Sequence, residues 1–282
     1  MLDNNIVSKK FLDKNYLNSE VIESYKNDIP FPNIVIDNFF EENFLNKVLD
    51  DFPDLSKIKV SEKYNNKDEV KFANNDYVNF PISIKKLIDF MNSQQFLDFL
   101  QKLTSIKEKL QPDKELNGGG LHEIKSGGFL KVHTDFNKHP KFNLDRRINI
   151  LIYLNKDWKE NYGGDLQLWD KDMNSCKKKI YPKFNKMVIF STNDFSNHGH
   201  PDPIKCPENI SRKSIALYYF SDGRPDEELD PLNIKNKTYF KNRLGHQNES
   251  SYKPENFKNY IRKLKIYKFL KNIEKTYFRK KK

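Results

Sequence analysis

The sequence predicts an α+β fold in which a sandwich or barrel of short strands carries helices on one outer face. Three observations predict it. Apolar residues recur at helical spacing only within the first hundred residues and again at the C-terminus. From Gly118-Gly119-Gly120 onward, short apolar runs alternate with turn residues such as Gly163-Gly164. With 282 residues, 37% apolar and 13% aromatic, the chain can fill one large core or a core plus appendages.

Taken in order, residues 1–32 form a polar segment, with a short helix expected around Glu20–Lys26. Asn33 to Phe40 reads as a strand, and Asn38 precedes a helix over Glu41–Asp51, where Phe44, Leu45, Val48 and Leu49 share a face. Residues 54–82, rich in Lys and Asn, read as loop. One long helix or two should follow from Ile84 to about Thr104, with Leu87, Ile88, Phe96 and Leu100 among its apolar positions. The expected strands are then Leu121–Ile124, Phe129–His133, Arg147–Leu154, Asp165–Leu168, Lys179–Tyr181, Met187–Ser191 and Lys213–Ser221. A boundary is expected near Arg224-Pro225. Beyond it, 226–282 reads as a linker and a basic helical tail, whose helix over 254–282 carries two apolar stripes.

Charge is unevenly placed. Residues 253–282 hold twelve Lys and Arg against two Glu, so net +10 of the chain's +11 belongs to the tail. The tail could thus offer one stripe and its lysines to an anionic partner, while the rest of the chain is close to neutral. Cys176 and Cys206 are the two cysteines, which implies no disulfide framework and suits the cytoplasm. No apolar run is long enough for a transmembrane segment, and the start has no leader-like pattern.

The chemistry concentrates at Gly128 to Phe136. His133 and Asp135, two residues apart where a strand ends, can both turn inward to share a metal ion. A lone His-x-Asp is weak. Here a second histidine follows another strand, in Ser196-Asn197-His198-Gly199-His200, with His198 favoured over His200 because it lies nearer the strand end. Two imidazoles and a carboxylate make the facial triad of non-haem Fe(II) oxygenases, which leaves positions open for substrate and O₂. His122 and His139 read as structural or supporting groups. Period two in the last strand puts Arg212, Ser214, Ala216 and Tyr218 on one face. Arg212 could clamp a carboxylate there, or equally pair with an acid at the strand edge. The same parity puts Arg147, Asn149, Leu151 and Tyr153 together, so the Tyr153 hydroxyl could join the clamp.

From Gly118 to Pro225 the sequence resembles the 2-oxoglutarate- and Fe(II)-dependent dioxygenase superfamily, in its prolyl-4-hydroxylase-like branch. The strings that carry the likeness are Gly127 to Asp135, Tyr153 to Trp158, Tyr162 to Leu166, Pro182 to Asn185, His198-Gly199-His200-Pro201 and Arg212 to Phe220. The Asn33–Phe40 strand and following helices also resemble the family's support, giving a dioxygenase domain over 33–225, with strand and helices at 33–117 and core at 118–225. The resemblance implies a double-stranded β-helix (jelly roll), iron on His133, Asp135 and His198, and 2-oxoglutarate held at its far carboxylate by Arg212, Tyr153 and Ser214. It implies Fe(II), 2-oxoglutarate and O₂ as cofactor and cosubstrates, and leaves ascorbate open. Asp135 favours hydroxylation over halogenation. Tyr218, six residues after Arg212, departs from the second arginine of nucleic-acid demethylases. The spacing from His198 to Arg212 is longer than in many prolyl hydroxylases, with Pro201, Pro203 and Pro207 inside it. The expected substrate is a prolyl or other peptidyl residue of a polypeptide. A small metabolite such as a free amino acid or sugar is the alternative, and a non-catalytic β-helix binding module the rival of another class. An open groove around His133 and Trp169 would favour a polypeptide, a closed cup a metabolite.

Overall fold

The computed structural model describes residues 2–230, 237–246, 248–250 and 265. The helix expected over 254–282 therefore lies outside the described residues, apart from Lys265.

Among the described residues the α-helices are α1 (Lys9–Leu12), α2 (Ser19–Asn27), α3 (Glu42–Asp50), α4 (Ile82–Met91) and α5 (Gln94–Thr104), with three strands interspersed among them. The long apolar stretch divides into α4 and α5 at Asn92-Ser93, where the Ser93 hydroxyl accepts from the Phe96 N–H and starts the second helix. The strands are β1 (Asn33–Asp37), β2 (Glu62–Asn65), β3 (Glu69–Asn74), β4 (Gln111–Pro112), β5 (Gly120–Ile124), β6 (Phe129–Thr134), β7 (Asp145–Tyr153), β8 (Leu166–Trp169), β9 (Cys176–Ile180), β10 (Lys186–Ser191), β11 (His198–His200), β12 (Arg212–Ser221) and β13 (Tyr239–Phe240).

Their pairing runs β1-β10-β7-β12-β5-β3-β6-β11-β8-β9, all antiparallel, so the sheet folds over on itself. The first five strands form one wall and β6, β11, β8 and β9 the other; β3 joins them by pairing with both β5 and β6. This is the nearly closed barrel of a double-stranded β-helix. Alternation decides which side chains face inward. Opposite residues on antiparallel neighbours share a face, so Tyr153, Ser214, His122 and Ala73 form one row across β7, β12, β5 and β3. The other parity, Ile148, Ile150, Ile152, Met187, Ile189, Ile215 and Leu217, faces the helices and is buried with Phe11, Tyr25, Leu45, Phe96 and Leu100. Phe39, Phe96 and Phe99 interlock there with ring centroids 5.6–6.1 Å apart. Full burial of each such ring contributes about 1.5–3 kcal/mol.

Three parts of the chain differ from the expectation. Residues 62–74, read as loop, form the β2–β3 hairpin. Their run of Lys, Asn and Glu hides the strand pattern because β2 is largely solvent-facing. The strand expected at Lys179–Tyr181 lies earlier, at Cys176–Ile180, and the turn holding His198 is itself strand β11. Past Pro225, β13 pairs with β6, setting Phe240 opposite His133. Lys131 and Arg243 both bind Glu249, and Arg243 also binds Asp202, so Arg243 and Glu249 are tied to the core. No helix among the described residues is long and apolar enough to cross a membrane.

Candidate active site

His133 lies in the last turn-ward residues of β6, Asp135 just beyond, and His198 opens β11, where it is registered opposite His133. Their donor atoms all lie within 4.8 Å of one another. His133 Nε2 is 3.6 Å from Asp135 Oδ1, and His198 Nε2 is 3.5 Å from Asp135 Oδ2. Each imidazole is oriented from behind: His133 Nδ1–H donates to the Lys131 carbonyl at 2.8 Å, and His198 Nδ1–H to the Ser196 carbonyl at 2.9 Å. A carbonyl can only accept, so each Nδ1 carries a proton and Nε2 is the atom turned toward the carboxylate. Burial pushes the His198 pKa down to about 4, leaving it neutral and free to ligate a metal at neutral pH.

Asp135 is held by two groups. Asn149 Nδ2 donates to its Oδ2 at 2.7 Å, and Arg146 Nη2 lies 3.1 Å from the same oxygen, as an ion pair and not an aligned hydrogen bond. Burial alone would raise its pKa; the Arg146 charge, then His198 and His133, outweigh that and hold it well below the usual carboxylate range. Arg146 is stacked between Phe136 and Tyr218, its guanidinium carbon 4.5 and 3.5 Å from the ring centres.

Arg146 was not expected, and the reason is a bulge. In the β7–β12 register, Tyr219 faces Ile148 but Phe220 faces Arg146, so Arg147 is an extra residue. The extra residue resets the parity of everything before it. Arg147, expected beside Asn149 and Tyr153, instead leaves the site and binds Glu108, the Ser221 hydroxyl and the Gly223 carbonyl. No local signal in Asp145-Arg146-Arg147-Ile148 marks which arginine is displaced.

The second polar cluster is buried at the start of β12. Arg212 donates from Nε to the Gly164 carbonyl at 2.8 Å and from Nη2 to the Tyr153 hydroxyl at 3.2 Å. Gly164, at φ 77°, brings its backbone there. Burial raises the Tyr153 pKa, so the phenol stays protonated and can donate. Ser214 stands between Tyr153 and His122 in the inward row. One cavity of about 270 Å³ is lined by the three metal donors and by Arg212 and Ser214, with His122, His200, Leu151, Leu166 and the hairpin residues Tyr64, Glu69 and Lys71, while Tyr153 is fully buried and meets Arg212 outside that lining. Its far rim is Phe240, whose ring centre is 5.5 Å from that of His133. Trp169 is not part of this wall: it is buried with Val132 and Met173, its indole N–H donating to Gln167. His139 also lies elsewhere, 3.4 Å from Asp113.

The strand contact that aligns His198 is very close. A Cβ on Gly199 would fall 2.8 Å from the carbonyl oxygens of both Leu130 and Lys131, the latter being the acceptor that orients His133. Gly199→Ala should therefore push β11 off β6, lowering stability by about 1–3 kcal/mol and weakening divalent metal binding together. Thermal unfolding and a Mn(II) titration check this; unchanged metal affinity would show that the strands adjust without moving the imidazoles.

The donor set suits Fe(II): two imidazoles and one carboxylate lining one cavity. The family model of the 2OG-Fe(II) oxygenase superfamily matches residues 119–220, the stretch that holds both clusters. Among characterised proteins, prolyl 3-hydroxylase OGFOD1 of Mus musculus is 27% identical over 212 residues, covering 72% of this chain and 35% of that protein. The chain thus spans about a third of that relative's length. A Trichoplax adhaerens prolyl hydroxylase, solved with a peptide fragment of the hypoxia inducible factor oxygen degradation domain, superposes with a TM-score of 0.56 at 18% identity, covering 78% of this chain and 96% of that one. The non-heme alpha ketoglutarate dependent epimerase SnoN from nogalamycin biosynthesis superposes at 0.50 with 10% identity, covering 74% and 84%. These two share the fold. The stretch that matches the 2OG-Fe(II) oxygenase superfamily runs from β5 to β12 and holds the three iron-type donors together with Arg212, so the likeness covers both polar clusters.

Proposed function

We propose that this protein is an Fe(II)- and 2-oxoglutarate-dependent hydroxylase of a prolyl residue in a polypeptide. His133, Asp135 and His198 hold the iron, and Arg212 and Tyr153, with Ser214 beside them, hold the far carboxylate of 2-oxoglutarate. The observation that carries this reading is one cavity lined at once by three metal donors and by a buried arginine. When bound, the iron, 2-oxoglutarate and O₂ supply the oxidation: a C–H becomes C–OH while 2-oxoglutarate and the second oxygen atom become succinate and CO₂. The chain's own residues position and shield. Arg146 and Asn149 keep Asp135 ionised and aimed, the two backbone carbonyls keep the imidazole tautomers, and Phe136, Tyr218 and Phe240 limit water.

A prolyl substrate is supported by the named activity of the Mus musculus relative. At about 270 Å³ the cavity is just below the range of drug-sized sites, which suits a small dicarboxylate plus one inserted side chain, the polypeptide itself staying outside. Incubating the protein with Fe(II), 2-oxoglutarate, O₂ and proline-containing peptides should give succinate and a peptide heavier by one oxygen. A protein that binds no 2-oxoglutarate would be a non-catalytic module; succinate release stimulated only by free amino acids or sugars would replace the substrate class.

We place the protein in the cytoplasm, on the free thiols Cys176 and Cys206. The basic tail, with net +10 over residues 253–282, is proposed as a docking element for an anionic partner. Deleting 254–282 should leave 2-oxoglutarate binding intact and remove the salt-sensitive part of adsorption to an anionic resin, since exposed charges are screened over about 8–10 Å. Loss of turnover on deletion would make the tail part of the catalytic body.

A further inference from the structure

His200 has no partner in a place where one is expected. It is 4% exposed, it lines the cavity, and neither ring nitrogen makes a hydrogen bond. Buried polar groups are rarely left so, because an unmet donor or acceptor forfeits its hydration without return. Strand period explains its direction: two residues past His198 on β11, it faces the same way, and the tight approach at Gly199 fixes that strand against β6. Leu130, Leu151 and Leu166 of the same cavity offer it nothing. On β8, Leu168 faces His198 and Gln167 faces Gly199, so the step to His200 runs toward Leu166 and Gly164, whose carbonyl accepts from Arg212; both His200 and Arg212 line the cavity.

We propose that His200 donates its ring N–H to the far carboxylate of 2-oxoglutarate, making it a specificity-determining residue for a dicarboxylic 2-oxo acid. The inference rests on the proposed function. A carboxylate has about four acceptor positions. Arg212, with Nε committed to Gly164, can fill two of these positions as a bidentate pair and the Tyr153 hydroxyl a third, which leaves one for an imidazole N–H. A neutral imidazole carries one donor, enough to take one of these positions. Its role is discrimination: a ligand with a methyl group where 2-oxoglutarate has this carboxylate gains nothing from His200.

The test compares two ligands on the full chain loaded with Mn(II), by calorimetry. 2-Oxopentanoate has the same carbon chain as 2-oxoglutarate but no far carboxylate. His200→Leu should weaken 2-oxoglutarate binding by about tenfold or more, as expected for a hydrogen bond to a charged group, and leave Mn(II) and 2-oxopentanoate binding unchanged. His200→Gln, which keeps a donor, should fall between Leu and wild type. Equal weakening of both ligands would overturn the proposal in favour of an indirect effect through His198, and so would unchanged 2-oxoglutarate binding. Wild-type protein that fails to bind 2-oxoglutarate would remove the functional reading itself, a separate outcome.

Discussion

Asp135→Ala should abolish both metal binding and 2-oxoglutarate turnover, and should also unfold more readily than any other single change at the donor cluster. The first effect follows from losing the only carboxylate of the triad. The second comes from Arg146, which is 1% exposed and whose ion pair among the described residues is with Asp135. Removing one partner of a buried pair typically costs about 3–5 kcal/mol, because the other charge stays buried. The remaining Arg146 contacts, Nε to Asn149 at 2.9 Å and stacking on Tyr218, offset part of that, so a loss of about 3 kcal/mol is expected. In a chain of this size that lowers the melting temperature by roughly 6–12 °C. His133→Ala should lose the metal equally yet melt nearer to wild type, since it strands no charge. Melting curves of the metal-free variants separate the two; equal destabilisation would mean that Asp135 does not neutralise Arg146.

Arg212→Ala should raise the 2-oxoglutarate requirement by at least about tenfold, and more nearly a hundredfold if the clamp is fully desolvated. Truncating one side of a buried charge pair costs about 2–5 kcal/mol, and each 1.4 kcal/mol is tenfold in affinity. Arg212 is 3% exposed, so the desolvated limit applies. The variant also leaves the Gly164 carbonyl and the Tyr153 hydroxyl without the donor they now share. Tyr153→Phe should move the requirement in the same direction by less, because a neutral hydroxyl contributes about 1 kcal/mol. An unchanged requirement in Arg212→Ala would show that the carboxylate is bound elsewhere. Mn(II) affinity, measured alongside, should stay at the wild-type value in both variants.

Local pattern made much of this protein legible. The two periods, helical before Thr104 and alternating after Gly118, follow from side-chain geometry along a single element, so they survive without any tertiary information. His133 and Asp135 are neighbours along the chain, and the reading that set His198 with them needed only a second strand end. Tyr153 and Arg212 were likewise brought to one face by counting in twos, since β7 and β12 are regular between Tyr153 and Ile148. What tertiary structure alone decided are relations between distant segments. Which of Arg146 and Arg147 meets Asp135 depends on one bulge in the β7–β12 register, a choice made by the partner strand. That the polar 62–74 stretch becomes the hairpin joining the two walls, and that β13 returns to set Phe240 against His133, depends on free edges of β5 and β6 being available. His200 is left without a partner for the same reason: whether a buried imidazole finds one is settled by every strand facing it, and no neighbour in the sequence carries that information.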